Sequence, residues 1–121
     1  MLKHIALEIS EKDIQDFYID ILGGEIVNQF VLNKEVTKEI FNIHEAVRVY
    51  YFSLKNIEFE LFVHEYLNRN TLRHTCIEIE DASNIFNLAR KKNYWVHLRK
   101  SGSKNTYFIK DKNGNLFELK S

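Results

Sequence analysis

An internal repeat constrains the fold of this chain more than any other feature. Lys3–Ile9 reads as a strand, with Ile5, Leu7 and Ile9 alternating against His4, Ala6 and Glu8. A helix follows, opened by a capping-box-like Ser10 and Asp13. It carries Ile14, Phe17, Tyr18, Ile21 and Leu22 at helical spacing and is stopped by Gly23-Gly24. Strands are then predicted at Glu25–Leu32, Ala46–Leu54 and Ile57–Val63, the last two joined as a hairpin at Lys55-Asn56. A short amphipathic helical segment over Lys34–Asn42 interrupts them. The same order then returns. Arg73–Glu80 is a strand, Asp81 caps a helix over Ala82–Lys92, and Tyr94–Arg99, Thr106–Lys110 and Leu116–Lys120 are strands around the turns "SGSKN" and "DKNGN". Two β-α-β-β-β units of this size, neither large enough to close a core alone, are expected to pair about a pseudo-twofold axis.

Composition sets the outer limits. The 121 residues, 45% hydrophobic and 28% charged, suit one domain with a real core. Seventeen basic and seventeen acidic residues leave a formal net charge of +0, with no electrostatic footprint for nucleic acid or an anionic membrane. The basic run "RKKN" at Arg90–Asn93 reads as a solvated helix end, where positive charge suits the dipole, ahead of a phosphate-binding patch. No apolar run reaches the roughly 20 residues that a membrane span needs. The N-terminus alternates too quickly for a secretory signal, so a cytoplasmic location is expected. The single cysteine, Cys76, excludes an intrachain disulfide and a multi-thiolate zinc site, and its place in a strand favours packing over nucleophilic chemistry.

Strand parity isolates four residues. In Ile57–Val63 the apolar face is Phe59, Leu61 and Val63; Glu58, Glu60 and Phe62 oppose it, and His64 continues that row. In the last strand Glu118 stands with Leu116 and Lys120 against Phe117 and Leu119. Each unit therefore starts with a histidine off the core face of its first strand, His4 and His74, and ends with a glutamate off the core face of its last, Glu60 and Glu118. A single strand histidine is more often packed or at an edge than a ligand, and a lone glutamate is usually solvated. Four ionisable groups at mutually equivalent positions weigh against that reading.

The stretches "HIALEIS", "FELFVHE", "RHTCIEIED" and "DKNGNLFEL" resemble the metal-site strands of the vicinal oxygen chelate superfamily, which includes glyoxalase I. Lys112 stands where the last motif usually has proline. The resemblance spans Lys3 to Lys120 and implies an α+β fold. Two tandem βαβββ modules, 1–66 and 70–121, would form a cup-shaped mixed sheet within one domain, 1–121, with helices outside. It implies His4, Glu60, His74 and Glu118 as ligands of a divalent metal (Ni, Co, Zn, Mn or Fe). Imidazole and carboxylate donors suit such ions and leave positions for vicinal substrate oxygens. Glu60 and Glu118 are the candidate catalytic bases.

The implied activity is that of a metal-dependent, glyoxalase-like lyase or isomerase acting on a small molecule. A small-molecule-binding or antibiotic-resistance protein of the same fold is the alternative, and a metal-assisted addition of thiol or water to an epoxide is a third. Glutathione specificity is not expected. Glu8 stands where glyoxalase I carries an arginine for the glutathione carboxylate, and His64 replaces an asparagine. Glu8, Glu78 and His64 are expected to orient ligands. Tyr50, Phe52 and Phe62 are candidates to line the pocket, and "NKEVTKEIFNIHEAVRV" resembles a lid-like insertion. Within it His44 reads as a surface histidine ahead of a proton shuttle. Lys110 reads as solvated ahead of a partner for a substrate carboxylate, and Phe108 and Trp95 carry little information. The polar connector around Asn68–Leu72 allows the modules to pair within one chain or across a dimer. The sheet edges need cover, which predicts a homodimer.

Overall fold

The hairpin between the third and fourth strands shows how local sequence sets register. In the computed structural model, which describes residues 1–65 and 71–121, Lys55 and Asn56 adopt φ of 49° and 70°. Left-handed conformations at both central positions give a two-residue turn whose twist matches its strands. Leu54 thus pairs with Ile57, and every pair above follows: Phe52 with Phe59, Tyr51 with Glu60, Tyr50 with Leu61.

The chain separates into two compact units, Met1–Glu65 and Tyr66–Ser121. The first contains β1 (Ile5–Ile9), α1 (Glu11–Asp13) continuing into a π-helical stretch (Ile14–Ile19), β2 (Glu25–Leu32), α2 (Lys34–Phe41), β3 (Val47–Leu54) and β4 (Ile57–Val63). The second contains β5 (Thr75–Glu78), α3 (Ala82–Lys91), β6 (Val96–Ser101), β7 (Lys104–Lys110) and β8 (Leu116–Lys120). Each unit folds its four strands into a mixed sheet, ordered β1-β4-β3-β2 and β5-β8-β7-β6. First and last strands pair in parallel, the others antiparallel. The repeat expected from the sequence is therefore a repeat of topology. The connector "EYLNRNTL" and the expected module limits at 66 and 70 fall largely on residues outside those described.

One face of each sheet is apolar and covered by a helix. In the first unit Phe17 and Tyr18 meet edge to face at 5.1 Å, and Tyr18 meets Phe52 at 5.4 Å. Phe17, Tyr18, Phe52, Phe59 and Leu61 are all fully buried. In the second, Ile77, Ile109, Phe117 and Leu119 lie under Ala82, Ile85, Phe86 and Ala89 of α3. Burying side chains of this size stabilises each by about 1.5–3 kcal/mol.

Several boundaries differ from the sequence reading. The first helix is largely π-helical, with Asp20 N–H donating to Gln15 O and Leu22 N–H to Phe17 O. The wider turn buries the adjacent Phe17 and Tyr18 together. Ser10 does not cap through its side chain; its hydroxyl donates to Glu65 Oε1 at 2.5 Å. Asp81 likewise makes no side-chain cap. The unannounced cap is Asn33, whose side chain accepts from Val36 N–H at 3.0 Å to start α2. β6 begins two residues later than expected, because Asn93 turns left-handed (φ 64°) and Tyr94 N–H still closes α3 on Ala89 O. β1 and β5 begin at Ile5 and Thr75, so His4 and His74 each immediately precede a strand. No helix among the described residues is long and apolar enough to cross a membrane.

Candidate metal centre

The face opposite each helix carries the expected donors, and the parallel pairing of outer and last strands positions them. Ala6 pairs with Glu60 and Cys76 with Glu118, so His4 and His74, two residues before Ala6 and Cys76, occupy equivalent places beside equivalent glutamates. His4 Nε2 lies 3.0 Å from Glu60 Oε1, and His74 Nε2 lies 3.4 Å from Glu118 Oε1. Both imidazoles are 42% exposed, whereas the carboxylates are 12% and 18% exposed. Among the described residues no group of three or more His, Cys, Asp or Glu is arranged to hold a metal ion, and the expected donors come as two pairs.

The hydrogen bonding of His74 is informative. Its Nδ1 lies 2.9 Å from the Leu72 carbonyl oxygen, which can only accept, so Nδ1 carries the proton. In the neutral ring Nε2 then turns a lone pair toward a carboxylate oxygen. Two acceptors face each other, an arrangement that becomes favourable when a proton or a metal cation lies between them. Two imidazoles with two carboxylates bring nitrogen and oxygen donors and two negative charges, a donor set that fits a divalent first-row metal.

The residues around the two carboxylates differ. Tyr51, directly across from Glu60, donates its phenol hydrogen to that carboxylate. This hydrogen bond, and then the glutamate's charge, push the Tyr51 pKa above its ordinary value. Tyr51 packs against Phe30 of the next strand at 5.4 Å. Across from Glu118 stands Phe108, which cannot donate; Lys120 Nζ instead lies 3.3 Å from Glu118 Oε2. Cys76, expected to pack, is instead exposed beside Glu118, where desolvation, followed by that negative charge, raises its thiol pKa.

Tyr50 and Phe52, expected in the pocket, lie on the other face. They pair with Leu61 and Phe59, and the Tyr50 hydroxyl donates to Glu11 Oε1 at 3.0 Å. Tyr51 was the residue missed, although counting back from the Lys55-Asn56 turn places it opposite Glu60. Phe62 does share the Glu60 face, where Phe41 of α2 meets it edge-on at 5.9 Å. The end of the inserted helix thus rests on the donor-bearing face. Glu8 and His64 pair with each other, His64 Nδ1 being 2.8 Å from Glu8 Oε1, with Glu45 Oε1 3.8 Å from Nε2. His44 is exposed, with Nε2 3.3 Å from Asn42 Oδ1, and Glu78 is an exposed residue at the end of β5.

No protein-family model matches the chain, and no curated protein matches it in sequence. Solved structures do match it. A variant of FosX, a fosfomycin resistance protein from Listeria monocytogenes, complexed with Mn(II) and 1S,2S-dihydroxypropylphosphonic acid, superimposes with a TM-score of 0.77 at 15% identity, covering 99% of this chain and 90% of that one. A glyoxalase family protein from Enterococcus faecalis gives 0.73 at 19%, covering 100% and 97%. FosX from Mesorhizobium loti gives 0.70 at 15%, covering 99% and 90%. The chain therefore has the vicinal oxygen chelate fold, shared by fosfomycin resistance and glyoxalase family proteins. At such identities the likeness establishes the fold alone.

Proposed function

We propose that the protein is a metal-dependent enzyme of the glyoxalase type and that His4, Glu60, His74 and Glu118 are its protein ligands to a divalent cation. The observation that carries this reading is the pairing of a histidine Nε2 with a glutamate oxygen at equivalent places in both units. With Nδ1 donating to Leu72, Nε2 and Glu118 Oε1 present two acceptors to a common point. The Mn(II) bound by a FosX neighbour of the same fold supports it. The substrate class is a small molecule with adjacent oxygens. When bound, the metal supplies Lewis-acid stabilisation of negative charge on a substrate oxygen.

The chain's own residues divide the remaining work. Lys120 holds Glu118 in place as an anchoring ligand. Phe62 occupies the place beside Glu60 equivalent to that of Lys120, and Glu60 is held instead by the Tyr51 hydroxyl, so both carboxylates are candidate bases. Glu8, already engaged with His64, presents negative charge and argues against a glutathione carboxylate at that end. Assembly as a cytoplasmic homodimer belongs to the same proposal and is read by light scattering.

The test is metal content after purification without chelator, combined with His74→Ala and Glu118→Gln. Near-stoichiometric metal in the wild type, with affinity lost in both variants, is the expected result; unchanged affinity in both overturns the ligand assignment. Turnover of methylglyoxal–thiol adducts then identifies a glyoxalase-type reaction. The FosX neighbours favour one second reading, opening of an epoxide by water or a thiol, and a phosphonate epoxide in the same assay distinguishes the two.

A further inference from the structure

The donor-bearing face of the second unit continues away from Glu118 as a line of aromatic rings. His97, Phe108 and Glu118 share one rung across β6, β7 and β8. The Phe108 and His97 rings lie 6.2 Å apart. His97 in turn stacks on Trp95, also at 6.2 Å with 24° between planes. Trp95 is 49% exposed, unusual for so large an apolar group, and Lys110 Nζ stands 4.6 Å over its ring.

At that end lies an open surface cleft of about 570 Å³, lined by Arg90, Tyr94, Trp95, Lys110, Asp111 and Lys112, together with Asn93. Its charge is one-sided. Arg90, Lys110 and Lys112 contribute three cations, and Lys112 Nζ is held 4.3 Å over Tyr94 while donating to Asn93 O at 3.0 Å. The one carboxylate, Asp111, is turned to its own turn: Oδ1 accepts from Asn113 and Asn115 N–H, and Oδ2 from Asn115 Nδ2. An exposed flat ring beside ammonium groups matches a ligand that is planar and anionic, its ring stacking and its acid group meeting the lysines.

We propose that the Trp95–His97 platform and the Lys110 cleft form a binding subsite for a planar organic acid, such as an aromatic or conjugated carboxylate. Calling that acid the substrate rests on the metal-centre reading above; its binding does not. On the same face of the sheet, His97 and Phe108 stand between Trp95 and Glu118.

Trp95 is the sole tryptophan, so its fluorescence reports this site directly. Metal-free protein is titrated with benzoate, with cyclohexanecarboxylate as an acid without a flat ring, and with benzylamine as a flat ring of opposite charge. The expected result is saturable quenching by benzoate and much weaker responses to the other two. Lys110→Gln should weaken benzoate about tenfold, the loss of one charge-assisted contact, and Lys112→Gln by a smaller factor. Unchanged circular dichroism and melting temperature separate this from misfolding. Absence of saturable quenching, equal binding of benzylamine, or an unchanged Lys110→Gln titration would overturn the proposal. Chelator is present throughout, so failure here leaves the metal analysis standing, and failure of the metal analysis leaves this result standing.

Discussion

Tyr51 and Glu60 face each other across the β3–β4 ladder, and the phenol of one donates to the carboxylate of the other. A hydrogen bond from outside the ligand set fixes which carboxylate oxygen is left for a cation. Tyr51→Phe is therefore expected to lower divalent metal affinity about tenfold, within the range for such supporting partners, with little change in melting temperature. Calorimetric titration with Mn(II) measures it, and an affinity equal to wild type would remove Tyr51 from the site.

Metal should also stabilise the fold. At a free concentration 100 times its dissociation constant, a ligand that binds only the native state adds about 2.7 kcal/mol. Thermal unfolding with Mn(II) against chelator should show a higher midpoint with metal. Glu60→Gln and His74→Ala should each shrink that difference, and a shift of full size in both would assign the effect to another site.

Cys76 is expected to be a slow nucleophile. Its raised pKa means that less thiolate is present at any given pH than in free cysteine, so alkylation by iodoacetamide in metal-free protein should lag at pH 8 and rise only at higher pH. Glu118→Gln removes one of the causes and should shift the rate profile toward lower pH. A wild-type rate matching free cysteine contradicts the assigned environment.

Gly24 has no room for a side chain. A Cβ there would run into the Phe52 ring and the Ser53 carbonyl, so Gly24→Ala should destabilise by about 1–3 kcal/mol in denaturant titration. Gly23 faces open space but holds φ of 79°, so Gly23→Ala should cost about 1 kcal/mol from backbone strain alone. Equal losses at the two positions would refute the distinction.

Asp111 anchors the turn that delivers β8. It is 5% exposed, and its carboxylate accepts three hydrogen bonds within the turn. Asp111→Ala strands buried donors and should cost about 2–3 kcal/mol. It should also weaken metal binding through Glu118, whereas a stable variant with normal metal affinity would show that the strand is held some other way.

The strands were legible because alternation is a short-range signal: Glu25–Leu32, Ile57–Val63 and Leu116–Lys120 have the bounds their pattern implies. The equivalence of His4 with His74 and of Glu60 with Glu118 was legible from parity. Capping was not, because Ser10 has a partner 55 residues away in Glu65 that competes with its own helix. The pocket face was half legible. The consecutive aromatics Tyr50, Tyr51 and Phe52 hide the parity of β3, and only the count back from the Lys55-Asn56 turn puts Tyr51 opposite Glu60. The Trp95 platform was illegible, since it depends on which strands become neighbours.

The two units reach the same rung by unlike routes. Tyr51 meets Glu60 across a two-residue turn held by left-handed Lys55 and Asn56, while Phe108 meets Glu118 across a longer loop tied by a buried aspartate. Connections that differ in length and in hydrogen bonding deliver an identical alignment. The alignment, then, is the invariant of the duplicated unit, and the loops are free to diverge so long as they return the chain to that alignment.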